Sequence, residues 1–311
     1  MSNVLALSIP LFVLIFLGLF ARATGFIGED GALNLSKFAF FVALPPMMFM
    51  NVAAGNPEDI LNWGFVWRYE LATITLFIVT ALLARSAFSL TRLESGIFGL
   101  NAAYPNYGYM GVPLAIMAFG DAAAMPLALM LFADTVILLM LTAAFVVGGA
   151  GGLVTAMRRT MLTLVKNPLL ISVVAGLAFA ASGLALSGPI DTIITMLAGA
   201  AAPVALFALG ATVYGQPLAK AVPEIASISA VRLFLHPAMV AGLFLPGQDI
   251  IWVQTAILAA SLPVAANVFV LASHYGGYAG RTASAILAST ILASISVPVV
   301  LFFLFRLAEG G

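Results

Sequence analysis

Ten stretches of mostly apolar residues, each about twenty long, follow one another through this chain with only short charged connections between them. They run 4–22, 33–54, 62–84, 94–119, 124–147, 167–187, 190–213, 222–245, 250–274 and 281–305. A helix rises about 1.5 Å per residue, so each stretch is long enough for the roughly 30 Å hydrocarbon core of a bilayer. Composition agrees: 63% of the 311 residues are hydrophobic and 8% are charged, against about 45–50% and about 25% in soluble domains. The expected fold is an all-α polytopic membrane protein with ten transmembrane helices. The opening "MSNVLALSIPLFVLIFLGLFARATG" has an apolar core, but no basic residue before it and no small-residue cleavage site, so it reads as a first span and not a signal peptide. The absence of Cys excludes disulfides and thiolate metal sites, and twelve basic against twelve acidic residues leave no electrostatic footprint for nucleic acid.

Orientation follows from where Lys and Arg fall. Connections after spans 1, 3, 5, 7 and 9, with the adjoining span ends, hold Arg22, Lys37, Arg85, Arg92, Arg158, Arg159, Lys166, Lys220 and Arg281; the opposite side holds Arg68 and Arg306, with Glu58, Asp59, Asp121, Asp191 and Asp249. Nine against two predicts a multi-pass protein of the inner (plasma) membrane with both termini on the non-cytoplasmic side. Sliding the chain by 158 residues pairs Pro10 with Pro168, Gly18 with Gly176, Pro45 with Pro203, Phe49 with Phe207 and Pro105 with Pro263. These fall in spans 1 and 6, 2 and 7, and 4 and 9. The pairing suggests two five-helix repeats, 1–153 and 154–311, and an odd number of spans per repeat makes the second run inverted.

The stretch "AYPNYGYMGVPLA" at 102–114 places two helix breakers, an asparagine and three tyrosines at bilayer depth. Pro105 cannot donate to the helical ladder and Pro113 interrupts it again, so backbone groups between them lose their helical partners. Each unpaired group in hydrocarbon costs several kcal/mol, so a break survives only where protein or a wet cavity satisfies it. Span 9 carries the matching break, "AASLPVAANVFVLASHYGGY", with Pro263 and then Asn267. If broken helices 4 and 9 cross at the midplane, half-helix N-termini converge there and favour a carboxylate. Asn106, Asn267 and Tyr107 are substrate-contact candidates; interhelical hydrogen bonding for the amides and packing for the tyrosine are the alternatives.

Other polar groups also fall within spans. Asp134, in "LMLFADTVILL", is a candidate for proton or ion coupling, or else half of a structural pair. Arg232 and His236 share one face of span 8; the arginine suits a partnership with Asp134, a bond to a substrate anion, or snorkelling to the surface. Glu70, two residues from Arg68, reads as an interface marker. Asn51 and Phe49 near the end of span 2 are candidates for facing the cavity, with core packing the alternative.

"YPNYGYMGVPLA" resembles the "LPN…MGIPL" motif of the auxin efflux carrier family. "FVALPPMMFMNVAAG", "KNPLLISVVAGL", "APVALFALGATV", "RLFLHPAM" and "LPVAANVFVLASHYGGY" agree with the family in order over essentially the whole chain. The resemblance implies two inverted five-helix repeats, an elevator-like carrier of organic anions, and a scaffold of spans 1, 2, 6 and 7 beside a mobile part of spans 3–5 and 8–10. It further implies that Asn106, beside Pro105, contacts the substrate carboxylate with Pro263 at the second break, and that two subunits pair as a homodimer. The chain departs from the plant carriers in having only 148–166 where they have a long central loop, and in Tyr107 after the asparagine. The related bile-acid sodium symporters are the alternative, although no acidic and polar constellation around the breaks outlines two sodium sites.

Enzyme signatures are absent: His236 and His274 are the only histidines, and "GGAGG" at 148–152 has no Lys-Ser/Thr after it. No cofactor or metal is expected, so transport would be driven by gradients. The sequence therefore predicts a secondary or facilitative carrier of small carboxylates.

Overall fold

The computed structural model describes residues 2–55, 58, 62–147, 150–215, 221–244, 247–275 and 277–309; Asp59 and Lys220, counted above for orientation, lie outside the described residues. In chain order the helices are α1 (Ser2–Ala23), α2 (Glu29–Phe38), α3 (Leu44–Ala53), α4 (Trp63–Ala87), α5 (Arg92–Ala103), α6 (Val112–Phe119), α7 (Ala124–Val147), α8 (Ala150–Leu164), α9 (Pro168–Ser182), α10 (Gly188–Val213), α11 (Val222–Ala230), α12 (His236–Leu243), α13 (Ile250–Ala260), α14 (Asn267–His274) and α15 (Ala279–Glu309). Among the described residues there is no strand. Also among the described residues, six helical stretches are long and apolar enough to cross a membrane: Glu29–Ala53, Trp63–Ala87, Asp121–Phe145, Gly188–Val213, Val222–Leu243 and Ala279–Ala308. The remaining expected spans, 1, 4, 6 and 9, contain the shorter apolar helices Ile9–Ala23, Tyr107–Phe119, Pro168–Ser182 and Ile250–Ala260. Phe20, Met196 and Ile295 are 63%, 72% and 70% exposed. An apolar surface of that kind suits lipid and not water.

Prolines shape these helices in a regular way. A π-helical turn occupies Ala39–Ala43, Tyr107–Gly111 and Val231–Leu235, and each lies just before a proline: Pro45, Pro113 and Pro237. A proline ring clashes with the carbonyl four residues back, and that residue (41, 109 or 233) sits within the widened turn each time, where there is room for it. α2 and α3 thereby continue through one turn as a single bent span, and α11 and α12 do the same. Two further departures from the sequence reading concern the middle of the chain. Residues 150–164, read as connection, form the helix α8, with Met157, Arg158, Met161 and Leu162 exposed. The expected repeat boundary at 153/154 falls inside it. α9 stops at Ser182 because Gly183 turns left-handed (φ 67°) and closes the helix five residues before the expected end.

The helices sort into two packed groups. α1 lies along α10, and α3 lies along α9 and α10; separately, α4 packs with α5 and α7, α11 with α15, and α12 with α13 and α4. Glycine permits the closest approaches in the first group. A Cβ on Gly18 would stand 1.9 Å from the Phe207 carbonyl oxygen, and one on Gly210 would stand 1.8 Å from that of Ile15. Likewise a Cβ on Gly176 would stand 3.1 Å from the Phe49 carbonyl oxygen. Here the glycine and phenylalanine are the 158-residue counterparts of Gly18 and Phe207.

Candidate functional site

Spans 4 and 9 are both interrupted near their middles. α5 ends at Ala103, Tyr104 is extended (φ −96°, ψ 108°), and Asn106 (φ −78°, ψ 67°) starts the next helical piece. This is what Pro105 dictates, since it has no N–H and biases the preceding residue away from the helical region. In span 9, α13 ends at Ala260 and α14 begins at Asn267, with Pro263 between them. The two unwound pieces satisfy each other. Asn106 N–H donates to the Pro263 carbonyl (3.0 Å) and Ala265 N–H to the Tyr104 carbonyl (3.2 Å), forming an antiparallel bridge at Pro105 and Val264. Val264 N–H donates to Ser289 Oγ at 3.1 Å.

Arg232 holds the other side of this crossing. Its Nε donates to the Leu262 carbonyl (2.9 Å), Nη1 to Ala103 (2.7 Å) and Ala102 (3.5 Å), and Nη2 to Ala260 (2.6 Å) and Ala259 (3.4 Å). Guanidinium has five N–H groups, and here all five point at carbonyls near the C-terminal ends of α5 and α13. Those ends carry the negative pole of a helix, so the buried cation is compensated by dipoles and hydrogen bonds. Arg232 is 0% exposed. It therefore neither snorkels nor keeps a donor for Asp134 or for a substrate, the alternatives its sequence position allowed.

At the crossing lies a narrow cleft whose empty space, its open mouth included, is ≈ 380 Å³. Residues 104–109, Leu131, Thr135 and residues 265–267 line one side of it, and Phe40, Asn167 and Leu169 the other. The two sides belong to the two helix groups. Pro105, Asn106, Tyr107 and Asn267 thus face the cleft, while Pro263 stands behind it as the acceptor of the Asn106 N–H. The Asn106 side chain caps the second half-helix through Oδ1 (Tyr109 N–H, 3.4 Å), whereas its Nδ2 is buried without a partner; Asn267 Oδ1 is likewise unpaired. Tyr104 and Thr135 share a hydroxyl hydrogen bond of 2.8 Å. Asn167 caps α9, accepting from Leu169 N–H (3.0 Å) and Leu170 N–H (3.4 Å). Among the described residues, no Lys, Arg, Asp or Glu lines the cleft. Its recognition chemistry is therefore that of neutral amides, hydroxyls and half-helix N-termini, which favour anions without a fixed counter-charge.

The remaining candidates lie elsewhere. Asn51 Nδ2 donates to the Met47 carbonyl (2.8 Å) within its own helix, and the Phe49 ring packs edge-on against Phe179 (5.5 Å); neither lines the cleft. Asp134 is 0% exposed directly behind it, accepting from the Tyr107 hydroxyl at 2.6 Å. His236 Nε2 meets Thr73 Oγ1 at 3.0 Å. Glu70, read as an interface marker, is 2% exposed and belongs inside the bundle, whereas Arg68 is at the surface, bonded to the Gly64 carbonyl. Positions two apart on a helix face different directions, a signal that was available in the sequence. Asn167 and Thr135 had no comparable signal, because their place in the cleft depends on helices distant in sequence.

A cleft at the crossing of two broken helices, lined by two partly unpaired amides, belongs with membrane transport chemistry. The profile of the family described as "Membrane transport protein" matches residues 4–301. This chain belongs to that family. It is a membrane transporter, not an enzyme, of the auxin efflux carrier group that its motifs resemble. It is 36% identical over 316 residues to a Rhizobium meliloti (strain 1021) protein named "Putative malonate transporter", covering 98% of this chain and 97% of the relative. It is 29% identical over 292 residues to an "Uncharacterized transporter" of Methanothermobacter thermautotrophicus, covering 92% and 93%. It is also 24% identical over 310 residues to the "Uncharacterized transporter YfdV" of Escherichia coli (strain K12), covering 97% of each.

Proposed function

We propose that this transporter is a ten-span secondary carrier of small carboxylates, of the size and charge of malonate, working by an elevator-type exchange of access across the plasma membrane. The observation that carries the reading is the buried, unpartnered Nδ2 of Asn106. A buried amide donor without an acceptor costs about 1–3 kcal/mol, and a carboxylate oxygen in the cleft supplies the acceptor. Asn106 and the adjoining half-helix N-termini would hold the anion, with Tyr107 and Asn267 beside it and Pro105 and Pro263 keeping the backbone open. The name of the Rhizobium relative points the same way.

Spans 1, 2, 6 and 7 would form the static part, and spans 3–5 and 8–10 the moving part. Support comes from the cleft, which takes its walls from both packed groups, so that sliding one past the other would carry the substrate across. The equivalent glycine approaches, Gly18 to Phe207 and Gly176 to Phe49, support two inverted repeats related by a 158-residue offset. The reading also includes a homodimer with both termini on the non-cytoplasmic side of the inner membrane. The test is a thermal-shift titration of the purified protein with malonate, malate, lactate and indole-3-acetate, alongside Asn106→Ala. A bound ligand raises the melting temperature of the state it binds. A selective shift by one carboxylate, lost in Asn106→Ala, is expected; a variant that keeps wild-type affinity would refute the assignment.

A further inference from the structure

Behind the cleft wall lies a polar cluster that anion binding does not use. α4 contributes Tyr69, Glu70 and Thr73, α7 contributes Asp134, the π turn of span 4 contributes Tyr107, and span 8 contributes Arg232 and His236. Glu70 lies beside Asp134, close enough for the two carboxyls to share a hydrogen bond once one of them carries a proton. All are buried: Glu70 2% exposed, Asp134 0%, His236 0%, Tyr69 0% and Thr73 0%.

With both carboxyls ionised, the cluster is short of protons. The Tyr107 hydroxyl stands 2.6 Å from Asp134 Oδ2 and 2.9 Å from the Tyr69 hydroxyl. A hydroxyl has one proton, so when Asp134 is ionised and takes it, Tyr107 accepts in turn from Tyr69. Thr73 Oγ1 stands 3.2 Å from the Tyr69 carbonyl and 3.0 Å from His236 Nε2; with the hydroxyl's one proton on the carbonyl, the ring donates through Nε2–H and its Nδ1 bears a lone pair. That leaves four buried acceptors without a donor: Glu70 Oε1, Glu70 Oε2, Asp134 Oδ1 and His236 Nδ1. The nearby cation brings no relief through hydrogen bonds, because every Arg232 N–H is committed to a carbonyl at the crossing. Two neighbouring carboxylates in such a place repel each other and lose their hydration, so an added cation stabilises them strongly. Hard metal cations prefer cages of oxygen ligands, and one of the four acceptors is an imidazole nitrogen. Among the described residues no group of three or more His, Asp or Glu is placed to hold a metal ion.

We propose that the Glu70–Asp134 pair is a proton site that loads together with the carboxylate substrate, and that Tyr107 couples the two. The inference rests on the carboxylate reading of the cleft. A proton taken from water bonds to one carboxylate oxygen, turning one of the two carboxylates into a carboxylic acid. This removes a negative charge from behind the wall that the anion faces. Tyr107 has its ring in the cleft wall and its hydroxyl on Asp134, so it senses both. Tyr104, also in the wall, is a further titratable neighbour of Asp134, beside Tyr69, Glu70, Tyr107 and Arg232. Favourable coupling between an anion and a proton is symport.

The experiment uses the full-length protein in detergent. Malonate affinity and proton uptake on malonate binding are measured from about pH 5 to about pH 8, with sodium or choline as the salt cation. Expected for the wild type is uptake of about one proton per malonate, with affinity falling about tenfold per pH unit above the ionisation of the pair. Glu70→Gln should bind malonate with little pH dependence and lose the uptake. Malonate's own ionisation is common to both proteins and cancels in the comparison. Tyr107→Phe keeps both carboxyls and should lower the proton uptake per malonate bound, whatever it does to the affinity itself. No uptake in the wild type, or equal uptake in Glu70→Gln and Asp134→Asn, would overturn the proposal. So would sodium-dependent affinity at fixed pH that Glu70→Gln abolishes, which would make the cation sodium. If malonate does not bind at any pH, the carboxylate reading is what fails. The infrared band of a protonated carboxyl, appearing on acidification in ligand-free wild type and missing in Glu70→Gln, still tests the proton site, and its absence from the wild type would overturn it.

Discussion

Replacing Arg232 with Met keeps a long unbranched side chain in span 8 and removes five N–H donors at once. Three of the bonds are short, at 2.7 Å to Ala103, 2.6 Å to Ala260 and 2.9 Å to Leu262, and each carbonyl belongs to a broken helix that cannot supply a replacement. An orphaned buried acceptor costs about 1–3 kcal/mol, so three cost about 3–9 kcal/mol, comparable with the whole stability of an ordinary domain, about 5–15 kcal/mol. At roughly 2–4 °C per kcal/mol, even the low end lowers the melting temperature by about 6–12 °C. Arg232→Lys should fall between Met and wild type, because an ammonium has only three donors and lacks the planar fork that spans two helices. The assay is the melting temperature of detergent-purified protein, followed by tryptophan fluorescence. If both variants melt within about 2 °C of wild type, the stapling argument is wrong. A double variant, Arg232→Met with Asp134→Asn, discriminates further. Were Arg232 chiefly the counter-ion of Asp134, the second change would rescue the first; the staple predicts no rescue.

Gly210→Ala should destabilise by about 1–3 kcal/mol, since its Cβ would lie 1.8 Å from the Ile15 carbonyl oxygen and two backbones must part. Gly199→Ala on the same helix, with nothing within 4 Å, should be neutral or slightly stabilising; chemical denaturation of the two variants measures the contrast. Asn167→Ala should cost about 1 kcal/mol through loss of the α9 cap. Asn167→Asp should keep the cap and weaken malonate binding by placing a negative charge in the cleft wall, which calorimetric titration at low salt would register. Asn106→Asp, isosteric but anionic, should abolish malonate binding while the protein still elutes as a single folded species in size-exclusion chromatography.

Much of the site's backbone was legible in the chain. Pro105 and Pro263 mark the two interruptions because a proline ring acts on its own neighbours, wherever the rest of the protein lies. The same local chemistry explains the π turns before Pro45, Pro113 and Pro237, although these turns were not foreseen. Side-chain assignments were less secure. Asn51 and Phe49 were candidates for facing the cavity, with core packing as the alternative for the phenylalanine; Asn51 bonds within its own helix and Phe49 packs on Phe179. Glu70 looked like a surface marker because Arg68 is near it in sequence, but helical geometry separates the two.

The sequence by itself determined the membrane class, the stretches that become helices, and the two places where helices must break. Hydrophobicity over twenty residues and the missing N–H of proline are local properties, and they survive whatever packs around them. Only the tertiary structure decided what fills the breaks and who faces the cleft. Arg232 reaches the Ala103 carbonyl from 129 positions away, Thr73 meets His236 across 163, and the Asn106 N–H finds its acceptor on Pro263. A buried polar group is satisfied by whatever donor or acceptor packing brings to it, and no local pattern along the chain encodes that meeting.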